Sequence, residues 1–162
     1  MAGSEVTFKQ DEFIVSKTDL TGKITYGNET FIQISGYSEK ELLGSPHNIL
    51  RHPDMPASVF KLLWDTIAKG QEIFAYVKNQ TKFGDYYWVY AHVTASFDEN
   101  GKVLGYHSVR RKPKREAIKI LEPIYRQMLE KERTGGTKAG TDLLVEILKK
   151  GGHSYEEFVF SL

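Results

Sequence analysis

The side chains best equipped for chemistry gather in one short run, Gly44-Ser45-Pro46-His47-Asn48-Ile49-Leu50-Arg51-His52-Pro53-Asp54-Met55-Pro56. Arg51 supplies a planar, permanently charged fork that suits a pyrophosphate or a carboxylate; the plainer role is a surface ion pair. Asp54 stands just before Met55-Pro56 and could cap the helix that follows. His47 and His52 are the histidines placed to ligate a metal-bearing group, while His47 and Asn48 could equally only shape the proline-rich loop. Outside the run, Asn28 reads most simply as a helix cap. Asn79 falls on the Ile73, Ala75, Val77 side of a strand-like segment, where an amide among apolar neighbours needs hydrogen-bond partners. Phe60 and Trp64 stand four residues apart, an aromatic pair on one helical face that is usually core. His92 and His107 fall on sheet surfaces, and His153 lies in the tail without a role.

The elements that must position these groups follow from turn signals and periodicity. Residues 13–16 and 23–26 are short strand-like runs around Thr18-Asp19-Leu20-Thr21-Gly22, which has turn composition. Asn28 opens a helical pattern that Gly36 stops, and Ser38 with Glu41 forms a capping box before Leu42-Leu43-Gly44. Residues 54–69 place Phe60, Leu63, Trp64 and Ile67 at the i, i+3, i+4, i+7 spacing of one helical face. Three strand-like runs follow at 72–80, 85–97 and 102–111, and the Asn100-Gly101 pair favours a tight hairpin between the last two. Two strands, a block of short helices and three strands predict an α+β domain: a five-stranded antiparallel sheet with helices on one face. Residues 116–132 read as a helix that Pro123 should kink or split. Residues 135–140 read as a flexible joint, and 142–150 with the Ser154 capping box as a short helical tail. The expected division is 12–112 for the domain, 113–134 for a coupling helix, and 135–162 for joint and tail.

Composition narrows the chemistry. The 162 residues are 40% hydrophobic and 27% charged, enough for one substantial core and its extension. A net charge of +1 gives no global field for a polyanion, so no nucleic acid is expected. The only basic cluster is Arg110, Arg111, Lys112, Lys114 and Arg115, read as a solvated exit from the sheet in preference to a docking patch for an acidic partner. The absence of cysteine removes disulfides, thiolate metal sites and any cysteinyl adduct with a ring, and fits a reducing compartment. No apolar run approaches membrane-spanning length and the N-terminus lacks a signal-peptide pattern, so a cytoplasmic protein is expected. There is no phosphate-cradling glycine loop, nucleophile elbow or zinc-site spacing, and an enzyme is not expected.

The run from Gly44 to Pro56 closely resembles a segment of the Aer-type flavin-binding PAS domains of bacterial energy taxis. The likeness extends through Phe60 and Trp64, Val77-Lys78-Asn79, Tyr86-Tyr87-Trp88-Val89 and Gly105-Tyr106-His107-Ser108-Val109-Arg110. The chain is most like the stand-alone, CetB-like soluble half of a bipartite receptor. The resemblance implies a PAS fold binding flavin adenine dinucleotide (FAD), with Asn28, Arg51, His52, Asp54, Phe60, Trp64 and Asn79 as cofactor contacts and no metal ligands. It implies a redox sensor that signals to a membrane-bound chemoreceptor by protein contact, with homodimerisation as a further association. Asn79 is then the amide able to rotate when the ring changes its hydrogen-bonding character. The competing expectations are a haem-binding PAS sensor, ligated by His47 or His52, and a cofactor-free PAS interaction module.

Overall fold

A computed structural model describes residues 3–162. β1 (Ile14–Thr18) and β2 (Ile24–Gly27) form the first hairpin, its turn held by the Asp19 carboxylate, which accepts from the Thr21 and Lys23 amides. Asn28 caps α1 (Glu29–Ser35), accepting from the Phe31 amide at 3.0 Å, and both halves of the Ser38/Glu41 capping box start α2 (Glu39–Leu42). A single 3-10 turn spans His47–Leu50, and α3 covers Ala57–Ala68. β3 (Ile73–Gln80), β4 (Tyr86–Phe97) and β5 (Val103–Arg111) complete an antiparallel sheet in the order β2-β1-β5-β4-β3. The expected meander is present, and β5 closes it back onto β1.

Register decides which side chains share a face. Val77 pairs with Val89, Asn79 with Tyr87, Ala91 with Arg110, and Ser16 with Ser108. Because side chains alternate across a strand, this face sets the small Ser16, Ala91 and Ser108 among Val77, Val89 and Asn79, and α1, α2 and α3 enclose it. Small side chains under a helix leave a space.

The opposite face is aromatic: Phe74, Tyr76, Trp88 and Tyr90. It is covered by α4 (Arg115–Gly151) and α5 (Tyr155–Ser161). The Tyr125 hydroxyl donates to the Tyr76 carbonyl at 2.7 Å, the Tyr155 hydroxyl to the Phe74 carbonyl at 2.8 Å, and Phe160 packs edge-on against Phe74. Helices therefore lie on both faces, the second set being the C-terminal extension, and the tail folds back onto the domain.

Two local expectations are corrected. Pro123 does not split α4; the non-helical residue inside it is Gly136, at φ 70° and ψ −169°, a backbone region that L side chains avoid. Asp54 does not cap α3. Pro56 stands at that cap with no side-chain hydrogen bond, and the first amides of α3 are satisfied from a distance: Glu132 of α4 accepts from Ala57 N at 2.9 Å and Ser58 N at 3.0 Å, and also from the Ser58 hydroxyl. Gly140 packs beside this contact, where a Cβ would lie 2.4 Å from the Glu132 carboxylate and 2.6 Å from Ser58 Oγ.

Candidate functional site

Between α3, the 3-10 turn and the small-residue face of the sheet lies a cavity of about 490 Å³, within the range of roughly 300–1,000 Å³ typical of small-molecule sites. Its walls are apolar: Val77, Val89, Ala91 and Val93 from the sheet, Phe60, Leu63, Trp64 and Ile67 from α3. The Trp64 ring meets Tyr106 edge to face at 5.5 Å and is 37% exposed, as befits an aromatic at the edge of a space and not in a closed core. The same helical stripe that reads as core from sequence is thus the cavity's lid.

Polar groups converge at the inner end. Arg110, on β5, is 2% exposed; its Nη2 donates to Ser16 Oγ at 2.7 Å and its guanidinium lies 4.6 Å over the Phe31 ring. Its Nε and Nη1 have no hydrogen-bond partner among the described residues, nor does the buried Tyr87 hydroxyl. An unsatisfied buried donor costs about 1–3 kcal/mol, and more when it is charged. Ser16 Oγ also stands 3.1 Å from His47 Nε2. Since a guanidinium can only donate, the Ser16 proton is free to point at His47 Nε2, which then accepts and leaves the ring neutral. Burial and the neighbouring Arg110 charge push the His47 pKa down to about 3. Burial lowers Arg110 to about 10 and raises the Tyr87 phenol to about 12, so at neutral pH the guanidinium remains charged and the phenol protonated.

The residues proposed from sequence divide into groups. Phe60, Trp64, Asn79 and Arg51 line the cavity. Asn79 is 4% exposed, and its backbone bridges to Arg51, which fastens the loop to β3. The Arg51 guanidinium rests 4.4 Å above the Phe60 ring at the boundary between this cavity and a shallower, more open one that His52, Met55, Leu129 and Glu132 border. His52 Nδ1 accepts from the Asp54 amide, and burial together with Lys78 lowers its pKa despite Asp54. Asp54 lines neither space. It is 62% exposed and pairs with Lys78 Nζ at 2.7 Å, a bond that holds its carboxyl below the usual range. Asn28 is also outside the cavity, with both ends of its amide engaged: Oδ1 accepts from Phe31 and Val15, and Nδ2 donates to Phe13 O. Its effect on the site passes through Phe31, the ring beneath Arg110.

Arg110, Ser16 and Tyr87 escape the sequence reading, and one of them reverses it. Grouped with the basic run 110–115, Arg110 reads as solvated, whereas it points inward. The signal that separates it is the two-residue alternation Tyr106, Ser108, Arg110, all three lining the cavity.

Comparisons with known proteins agree with the fold. The PAS fold family model matches residues 24–110. The chain is 45% identical over 118 residues to the aerotaxis receptor of Escherichia coli (strain K12), covering 73% of this chain and 23% of the receptor. It is 27% identical over 103 residues to the nitrogen fixation regulatory protein of Klebsiella pneumoniae, covering 64% and 21%. The chain therefore spans less than a quarter of either relative. Among solved structures, a light-oxygen-voltage domain studied with a flavin analogue superposes with TM-score 0.60 at 23% identity, over 67% of this chain and 82% of that one. The dark structure of the blue-light photoreceptor Aureochrome1 LOV gives 0.61 at 24%, over 75% and 87%.

Proposed function

Because the chain belongs to the PAS fold family, we propose that it is a sensory domain that binds FAD in the cavity beneath α3 and reports the redox state of the ring to a membrane-bound chemoreceptor by protein contact, in the cytoplasm and without catalysing a reaction. The observation that carries this reading is a largely apolar cavity whose lining also includes unpaired donors, Arg110 Nε and Nη1, and the Asn79 amide. A flat ring with carbonyl and imide edges matches that division of apolar wall and polar end. The 45% identity to an aerotaxis receptor supports the energy-taxis role, and no helix among the described residues is long and apolar enough to cross a membrane.

When bound, the flavin supplies reversible electron uptake and absorption in the blue. The chain's residues do the rest. Phe60, Trp64 and the valines exclude water from the ring, Arg51 offers its fork where the two spaces meet, and Asn79 contributes an amide that can donate or accept by turning over. His52 and Asp54 act as positioning residues, with Lys78 tying that loop to β3. Asn79 also has a route outward. Three residues along β3, the Tyr76 carbonyl accepts from Tyr125 of α4, so a shift of the strand reaches the C-terminal helix.

The absorption spectrum of the purified protein tests the reading. Flavin bands are expected; an intense Soret band would favour the haem alternative, and a colourless protein that takes up no added FAD would leave an interaction module. Arg51→Ala or Trp64→Ala should lose the bound chromophore, and full flavin occupancy in either would remove that residue from the site.

A further inference from the structure

Arg110 is a buried cation without a counter-charge among the described residues. It is 2% exposed and lines the cavity, with Nη2 committed to Ser16 and both Nε and Nη1 free among the described residues. The groups around it come from every neighbouring element, and none is anionic: Ser16 on β1, Phe31 on α1, His47 on the 3-10 turn, Asn79 on β3 and Tyr87 on β4. The Ser16 hydroxyl already serves Arg110 as acceptor, and its one proton is directed at His47, so this chain of bonds contributes no negative charge.

A fixed charge in a largely apolar cavity distinguishes ligands by their charge. A neutral carbonyl edge gains hydrogen bonds from Nε and Nη1, whereas an edge bearing negative charge gains those bonds and an ion pair that water screens poorly. We propose that Arg110 is a specificity-determining residue of this cavity, recognising the carbonyl-bearing edge of the flavin ring and binding the reduced ring, which carries one negative charge after taking two electrons from the reductant and one proton from water, more tightly than the oxidised, neutral one. This rests on the flavin reading above, and it adds a direction: the cavity favours the electron-rich state of its ligand. His47 reinforces the effect. Protonating it beside Arg110 is unfavourable, so it does not serve as a store for a proton accompanying the electrons, and the negative charge stays on the ligand facing Arg110.

The test compares the wild-type chain with Arg110→Gln and Arg110→Lys, each titrated with FAD in air and under dithionite, with the midpoint potential followed spectrophotometrically. Arg110→Gln is expected to weaken binding of both forms, the reduced form about tenfold or more further than the oxidised one, which corresponds to a midpoint about 30 mV more negative for a two-electron couple. Arg110→Lys, which keeps the charge without the fork, should restore at least part of that shift. In the ligand-free state Arg110→Gln should melt no lower than wild type, because the group removed was largely unpaired. An unchanged ratio of affinities in flavin-loaded Arg110→Gln overturns the inference while leaving flavin binding intact. A ligand-free melting point well below wild type in Arg110→Gln, with the ratio of affinities unchanged in that same variant, marks Arg110 as structural and also overturns it. A wild-type chain that takes up no FAD in either state removes the flavin reading itself.

Discussion

His47 is held 3.1 Å from Ser16 Oγ, its ring stacked 6.0 Å from that of Phe31, in a setting that opposes its protonation. In the unfolded chain it would take up a proton near pH 6.5; in the fold it resists until about 3, first because it is buried and second because Arg110 is near. The sign follows. Below pH 6.5 the unfolded chain binds a proton that the fold excludes, so stability falls with pH across the window from 6.5 toward 3, by at most about 1.4 kcal/mol per pH unit, and above 6.5 the group contributes nothing. His52 and His107, also lowered by burial, act in the same direction. His47→Asn should therefore flatten, without abolishing, the loss of stability between pH 7 and 5 in urea unfolding at each pH. An unchanged slope would show that His47 is not its source. The motif marks His47 from sequence, but its neutrality depends first on burial and then on Arg110, 63 positions away, neither of which a local pattern reveals. Asn79 gives a second prediction: Asn79→Ala should fold and retain flavin yet uncouple reduction from tactic output, and identical redox-dependent output in the variant would end its role as the responsive amide.

The start of α3 shows how an element can depend on a remote one. With Pro56 at the cap, the amides of Ala57 and Ser58 have no local acceptor, and the Glu132 carboxylate from α4 supplies it. The contact joins the helix that lids the cavity to the helix that leaves the domain, so any displacement of α3 is felt at α4. Removing a cap of this kind costs about 1–2 kcal/mol. For a chain of this length, Glu132→Ala should thus lower the melting temperature by about 2–8 °C. Calorimetry reads the loss, and amide exchange at Ala57 and Ser58 should accelerate; unchanged melting and exchange would deny Glu132 this function. Gly140→Ala should act on the same contact, since its Cβ would fall on Glu132 and Ser58 and force them apart. Sequence offers Asp54 as the cap because it is adjacent; the acceptor is 75 residues from the first amide it serves.

The strands, the hairpin turn and the capped helices are legible in sequence because each depends on neighbours within a few positions. The two-residue alternation in β3 and the 3.6-residue stripe on α3 likewise mark the faces that line the cavity. What is not legible is which surface a stripe meets. Ile118, Leu121, Tyr125 and Met128 announce that α4 has a buried side, but pairing it with the far face of the sheet requires knowing that Phe74, Tyr76, Trp88 and Tyr90 gather there, a consequence of strand register. Such a face cannot remain bare. Aromatic side chains bury about 150–250 Å² each, so uncovering these four would expose on the order of several hundred Å² of contiguous apolar surface, more than a monomer usually tolerates. Residues 1–112, which keep the sheet and cavity but lack α4 and α5, are therefore expected to self-associate through this face. Residues 1–136 retain the Tyr125 and Glu132 contacts and should remain soluble and folded, with a lower melting point because α5 no longer covers Phe74. Size-exclusion chromatography with light scattering separates the two outcomes. A monodisperse, fully stable 1–112 fragment would mean that the C-terminal helices are appended to the sheet and not part of what holds it together.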